Sequence, residues 1–278
     1  MTDAVSGNEA QIDYWNGAAG ETWVRAQERT DAMLEPMTEI AIARANAAGG
    51  ERVIDVGCGC GATTIALAES GASVWGIDIS GPMLERARQR AEGLESVAFT
   101  KADAATQSLT PDHELIFSRF GVMFFSDPVA AFTNLYSGLR ANGRMVFLCW
   151  QAPSENPWIS IGGRALQPFL PPPESASDPR EPGPFALAEA DYLESVLKRA
   201  GFGKVALEDV RVDLHLGDTL DAAMQAQSEI GPVARALKEL EGKQRNDALA
   251  AVRAAFELHV TSRGLDLGAA AWLVSAKA

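Results

Sequence analysis

Short apolar runs recur along the chain at 52–56, 73–78, 96–100, 113–118 and 144–149, and stretches of helical period separate them near 61–69, 82–91 and 128–140. Runs of this length bounded by glycine and proline predict strands, and the period between them predicts amphipathic helices. Their alternation predicts βαβ units and so an α/β fold: a doubly wound, mostly parallel seven-stranded sheet with helices on both faces. The helix at 128–140 has a start signal in Ser126-Asp127 followed by Pro128, and a stop signal at Asn142-Gly143. Ahead of the alternation, 10–48 reads as helical. Pro36, shortly after Asp31, marks a helix start there, and Gly49-Gly50 ends the segment.

The rhythm stops after Trp150. Residues 151–185 hold nine of the fourteen prolines, together with Trp158 and Phe169. That is too much proline for a long helix and too much apolar surface for a linker, so an ordered excursion over the sheet edge is expected. A helix near 188–200 closed by Gly201, a strand at 204–216, a helical stretch at 219–260 and a last strand at 271–276 follow. The expected organisation is a helical gate at 1–48, a core at 49–150, a proline-rich cap at 151–185, core again at 186–216, a helical cap at 217–262 and a final core strand at 263–278.

Composition narrows the partners. Of 278 residues, 47% are hydrophobic, enough for a sizeable core. The formal net charge of −13 repels a polyanion, and no Lys/Arg run offsets it, so no nucleic-acid partner is expected. Cys58, Cys60 and Cys149 form no disulfide framework, Met1–Gln11 has no signal-peptide pattern, and no apolar stretch is long enough to span a membrane. A cytoplasmic location is the expectation, with the oligomeric state left open.

The segment with the most chemistry is Val53-Ile54-Asp55-Val56-Gly57-Cys58-Gly59-Cys60-Gly61, a buried strand running into a glycine turn that opens a helix. By itself this turn also satisfies a loose dinucleotide fingerprint. Asp55 separates the two readings. A pyrophosphate would meet its carboxylate at short range, whereas a ligand carrying an ammonium and a sulfonium would be favoured there. Asp78 ends the second strand, about twenty residues on, where an acid can accept from a ribose diol. Ser80 is the better cap for the following helix, which leaves Asp78 for a ligand. Asp103 follows the third strand, so three acids fall at the ends of three successive strands, where open α/β sheets bind ligands.

With these residues in place the chain resembles the class I, Rossmann-like methyltransferases that use S-adenosylmethionine (SAM). "VIDVGCGCGATT" is similar to that family's first motif, "VWGIDIS" to its second and "KADA" to its third. "IFSRFGVMFFSDP" resembles the fourth-strand segment of the branch that includes ubiquinone/menaquinone-type enzymes. The resemblance implies that Gly57, Cys58, Gly59 and Gly61 wrap the methionine part of SAM beside Asp55. It implies that Asp78 and Ile79 take the ribose, that Met83 packs on the adenine, and that Asp103 and Ala104 read the adenine edge. It places the backbone of Ser118 and Arg119 near the methionine amino group. Implied with them are methyl transfer to a small, largely apolar or aromatic acceptor and release of S-adenosylhomocysteine (SAH). A nucleotide-dependent oxidoreductase and a non-catalytic SAM-binding protein are the alternatives.

Other candidates carry less. Cys58 and Cys60, with no third ligand nearby, make no metal site. His113 is expected in a solvated loop, His215 on the sixth strand, and His259 near the end of the last long helix, where it is the leading candidate for a general base. Trp15, Phe120, Met123, Trp150 and Trp158 are the candidates for an acceptor pocket, and Tyr14, Trp15 and Trp23 for an aromatic gate. The chain has Ser118-Arg119-Phe120-Gly121 in place of an Asn/Asp-Pro-Pro-Tyr/Phe motif, which disfavours adenine and amide acceptors.

Overall fold

The apolar runs form the strands and the periodic stretches the helices of the chain, seen in a computed structural model that describes residues 8–171 and 178–278. Parts of two expected segments, 1–7 of the segment 1–48 and 172–177 of the segment 151–185, lie outside the described residues. In order the chain forms α1 (Glu9–Asn16), α2 (Ala18–Arg25), α3 (Gln27–Ala45), β1 (Arg52–Val56), α4 (Ala62–Ala68), β2 (Ser73–Asp78), α5 (Gly81–Arg90), β3 (Val97–Lys101) and β4 (His113–Arg119). Then come α6 (Pro128–Ser137), β5 (Leu139–Trp150), α7 (Pro157–Leu166), α8 (Ala190–Arg199) and β6 (Gly203–Gly217). The chain closes with α9 (Leu220–Glu229), α10 (Pro232–Lys238), α11 (Gly242–Glu257), β7 (Val260–Thr261) and β8 (Gly264–Lys277).

The strand order is β3-β2-β1-β4-β5-β8-β6, with β7 paired to β8. The expected seven strands are joined by this two-residue eighth. Strands β3, β2, β1, β4 and β5 are parallel to one another, and β8 is antiparallel to β5. The order reverses beside β1, from which β2 and β3 run one way and β4 the other. Such a reversal opens a crevice at the carboxyl ends of the strands.

Two compact units are present. The first comprises Met1–Trp150, Pro179–Val210 and Ala271–Ala278, and the second Gln151–Asp178 and Arg211–Ala270. In the first, Ile54, Phe117, Phe132 and Phe147 are fully buried in the sheet and against α6. In the second, α7 packs on α10 and α11, and Gly162 admits Val233 and Phe256 at distances that a side chain would block. Asn156 is fully buried there. Its amide donates to the carbonyls of Gln151, Ala152 and Ala270, and its carbonyl accepts from Ala270 N–H at 2.9 Å and the Trp158 indole at 3.1 Å.

Several expected signals fall elsewhere. The helical region before β1 is three helices, and Pro36 lies inside α3 rather than at a start. The buried stripe Gln27, Thr30, Leu34, Met37, Ala41 and Ala45 keeps helical spacing through it. Pro36 and Ala32 are exposed, so water can reach the carbonyl that the missing N–H leaves. Helix α6 stops at Ser137 with Gly138 as cap. Asn142, at φ 65°, and Gly143 sit inside β5, where the pairing to β4 skips from Leu139 to Arg144. His113 is not a solvated loop residue. It pairs with Leu139 as the first residue of β4 and is buried, with Nδ1 3.2 Å from the carbonyls of Thr110 and Gly138 and 3.0 Å from the Asp112 carboxylate. The stretch 219–260 is three helices, interrupted at Ile230-Gly231 and again before Gly242.

Candidate functional site

Strand β1 delivers the chain into the turn Gly57–Gly61, where Gly57, Gly59 and Gly61 have φ of 66°, 53° and 81°. L side chains rarely adopt this conformation. A Cβ on Gly57 would lie 2.6 Å from Gly121 Cα, and one on Gly61 3.0 Å from Ala87 Cβ and 3.1 Å from the Phe99 ring. Neighbouring protein therefore demands those two glycines. At Gly59 the nearest atom is Met83 Cε, 3.8 Å away, so this glycine opens on space.

The N–H groups of the turn face inward. Those of Gly57 and Cys58 go to Ile77 O, at 2.8 and 3.3 Å, that of Gly59 to an Asp78 carboxylate oxygen at 2.8 Å, and that of Gly61 to Cys58 O at 2.9 Å. A phosphate-binding loop instead points such groups at its anion.

Two carboxylates flank the turn. Asp55 is fully buried. One oxygen accepts from Thr63 Oγ1 at 2.7 Å and Thr64 Oγ1 at 2.6 Å, fixing the first turn of α4, and the other has no partner. Burial pushes its carboxyl up to about 6 against the two threonine hydrogen bonds. Asp78 is half-buried. Its oxygens accept from Gly59 N–H and, at 2.8 Å, from Ser80 N–H. Burial raises this carboxyl as well. Ser80 does cap α5, accepting from Met83 N–H at 3.4 Å. Asp78 is nonetheless tied at both oxygens rather than left free, although each oxygen keeps a further lone pair. Cys58 is buried with its thiol against Gly76, and burial raises that thiol.

Asp103 folds its carboxylate back to Ala105 N–H at 2.9 Å, and the Asn134 amide, from α6, holds the carbonyls of Ala104 and Gln107 at 2.9 Å each. Beyond β4, the Ser118 hydroxyl donates to Val56 O at 2.7 Å and accepts from Gly121 N–H at 3.1 Å, tying the turn to the end of β1. The Arg119 guanidinium turns towards α3, donating to Thr38 Oγ1 at 2.7 Å and meeting Asp31 at 3.4 Å. Asp31 also pairs with Arg90 at 3.0 Å, and Arg90 donates to Cys60 O in the glycine turn at 2.8 Å.

The aromatic candidates meet in part. Phe120, at φ 62°, stacks on Trp150 with ring centroids 3.9 Å apart and planes 9° from parallel, and Trp150 N–H lies 3.4 Å from Met123 sulfur. Trp15 stands edge-on to Trp23 at 5.9 Å and to Phe124 at 5.6 Å. Trp158 belongs to the second unit, as do His215, held by Asp266 at 2.7 Å, and His259, exposed just past α11. Sequence reasoning gave no role to Thr63 and Thr64, although they close the stretch that resembles the first motif. It also missed Asn16, Asp31 and Asn134, whose long-range partners no local spacing announces.

Residues 53–143 match the family model described as a methyltransferase domain. The chain is 30% identical over 176 residues to phosphoethanolamine N-methyltransferase 1 of Zea mays, covering 62% of this chain and 32% of that protein. It is 33% identical over 134 residues to the demethylmenaquinone methyltransferase of Clavibacter sepedonicus, covering 46% and 55%. It thus spans about a third of the first relative's length and about half of the second's. A solved structure with the same fold is Haemonchus contortus phosphoethanolamine N-methyltransferase 2 in complex with SAM, at TM-score 0.59 and 15% identity, covering 96% of this chain and 59% of that one. The inward-facing glycine turn, the acids at the ends of β1 and β2 and these likenesses agree: residues 53–143 match a methyltransferase domain, and the chain is similar in sequence to methyltransferases and in fold to one solved with SAM.

Proposed function

We propose that the chain binds SAM at the carboxyl ends of β1, β2 and β3 and transfers its methyl group to a small, largely apolar or aromatic acceptor, releasing SAH. The observation that carries this is the chemistry of the glycine turn. Its N–H groups at Gly57, Cys58, Gly59 and Gly61 are spent inside the protein, and Asp55 and Asp78 stand beside it. That arrangement disfavours a pyrophosphate and suits a cation. The unpartnered oxygen of Asp55 and the open space at Gly59 fit the group as well.

In this reading Asp78 and Ile79 hold the ribose, Met83 and the Asp103-Ala104 turn hold the adenine, and Asp55, Cys58 and the Ser118-Arg119 backbone border the methionine part. SAM, when bound, would supply a methyl already activated by its sulfonium. What remains for the protein is to hold an acceptor in line and exclude water, which can supply much of the rate. Trp15, Phe120, Met123 and Trp150 are the proposed acceptor walls in the first unit. Trp158, a further candidate wall, and His259, the candidate base where the acceptor is a weakly acidic hydroxyl, belong to the second unit. The gate at 1–48, a cytoplasmic location and the absence of a nucleic-acid partner belong to the same proposal. Among the described residues no helix is long and apolar enough to cross a membrane.

Calorimetry tests it. SAM and SAH should bind and NAD should not. Charge-assisted hydrogen bonds contribute about 1.5–3 kcal/mol each, so Asp78→Ala should weaken SAM roughly tenfold to a hundredfold. Unchanged affinity in that variant would remove Asp78 from the site. A screen of small acceptors read by SAH release then identifies the methylated atom.

A further inference from the structure

The turn that carries Asp78 into α5 is held from outside the core. Asn16, the last residue of α1, donates through its amide to Ile79 O at 2.9 Å and accepts at its carbonyl from Gly81 N–H at 3.0 Å. It therefore grips both flanks of Ser80. The same carbonyl accepts from Lys101 Nζ, at the end of β3, at 2.7 Å. Three of its four bonds span 63, 65 and 85 residues, and only the one to Ile12 O, at 2.7 Å, is local to its helix. Ser80 adds a second tie, its hydroxyl donating to Trp15 O at 2.8 Å. The approach is close enough to exclude a side chain on Gly20, where a Cβ would lie 2.2 Å from Trp15 O and 2.9 Å from Ser80 Oγ.

Asp78 depends on this arrangement. One of its oxygens is fixed by Gly59 N–H of the glycine turn and the other by Ser80 N–H, the residue between the two that Asn16 grips. The carboxylate is thus aimed jointly by the core and by the N-terminal helix. We propose that Asn16 is a positioning residue for the adenosine end of the cofactor site, setting the Asp78–Gly81 turn so that Asp78 meets a ribose in its bound geometry. The inference rests on the SAM reading. A side chain that bonds two backbone groups on either side of one residue orders that turn before the ligand arrives, and preorganisation lowers the cost of binding.

The test uses SAH and 5′-methylthioadenosine, which lacks the amino-acid end, with calorimetry for affinity and stopped flow for dissociation. Asn16→Ala should weaken both ligands by the same factor, about tenfold, mainly through faster release, with the melting temperature of the ligand-free protein little changed. Asn16→Asp keeps the acceptor for Gly81 and Lys101 but loses the donor to Ile79, and should recover part of the loss. Should Asn16→Ala fail to fold, Asn16→Asp alone carries the test, with an expected loss of about threefold. Unchanged affinity and release in the folded variants would overturn the role of Asn16. Wild-type protein that binds neither ligand would overturn the cofactor reading itself, and this inference with it.

Discussion

At the scale of single residues, Asp55 joins stability to ligand preference. Its carboxyl is pushed from an ordinary 3.8 to about 6, chiefly by burial. The folded protein therefore holds a proton that the unfolded chain releases between those values. Stability falls as pH rises through this window, and the whole penalty, about 3 kcal/mol for a shift of this size, is present above pH 6. Asp55→Asn removes the ionisation while keeping an acceptor for Thr63 and Thr64. Urea unfolding of the ligand-free proteins from pH 4 to pH 7 should show the variant gaining on wild type as pH rises, and parallel curves would refute it. SAM affinity should move oppositely in wild type, rising as Asp55 ionises and attracts the cation.

At the scale of elements, the turn after β4 shows what packing imposes on local conformation. Phe120 is left-handed although it is aromatic, and the adjoining Gly121 cannot carry a Cβ, which would lie 2.6 Å from Val56 O. A left-handed L residue costs roughly 1–2 kcal/mol, offset here by the ring stacked on Trp150. Removing the ring should destabilise, yet Phe120→Gly should be about 1 kcal/mol more stable than Phe120→Ala, reversing the usual order of these residues. Denaturant midpoints of the two variants decide this, and an alanine variant as stable as the glycine one would exclude strain. The same contrast explains how much was legible. Ser80 and Asp127 cap the helices expected of them, because a cap is chemistry within three residues. Pro36, His113 and Asn142-Gly143 misled, because solvent exposure, strand pairing and a skipped register are decided by residues far along the chain. In the site, the acids at the strand ends were legible from spacing. The threonines under Asp55 and the amides of Asn16 and Asn134 were not, since tertiary contact alone gives them their partners.

At the scale of the whole molecule, the cofactor candidates from Asp55 to Arg119 all lie in the first unit, whereas Trp158 and His259 lie in the second. A division of labour follows from the proposed function: Trp158→Ala should leave SAH affinity within a few-fold of wild type and lower turnover of an identified acceptor. Calorimetry beside a turnover assay separates the two, and a large loss of SAH affinity would contradict the assignment. The strand order has a consequence for synthesis too. The outer partner of β5 is β8, whose first residue paired to it, Ala271, follows Trp150 by 121 positions (271 − 150). At ribosomal rates of about 5–20 residues per second, roughly ten seconds pass between the two. Through that interval the nascent chain holds a twelve-residue strand of mostly buried side chains with its outer edge unpaired. The newborn protein is therefore most exposed to mispairing with its neighbours on the polysome just before β8 emerges, and it is β8 that ends the exposure.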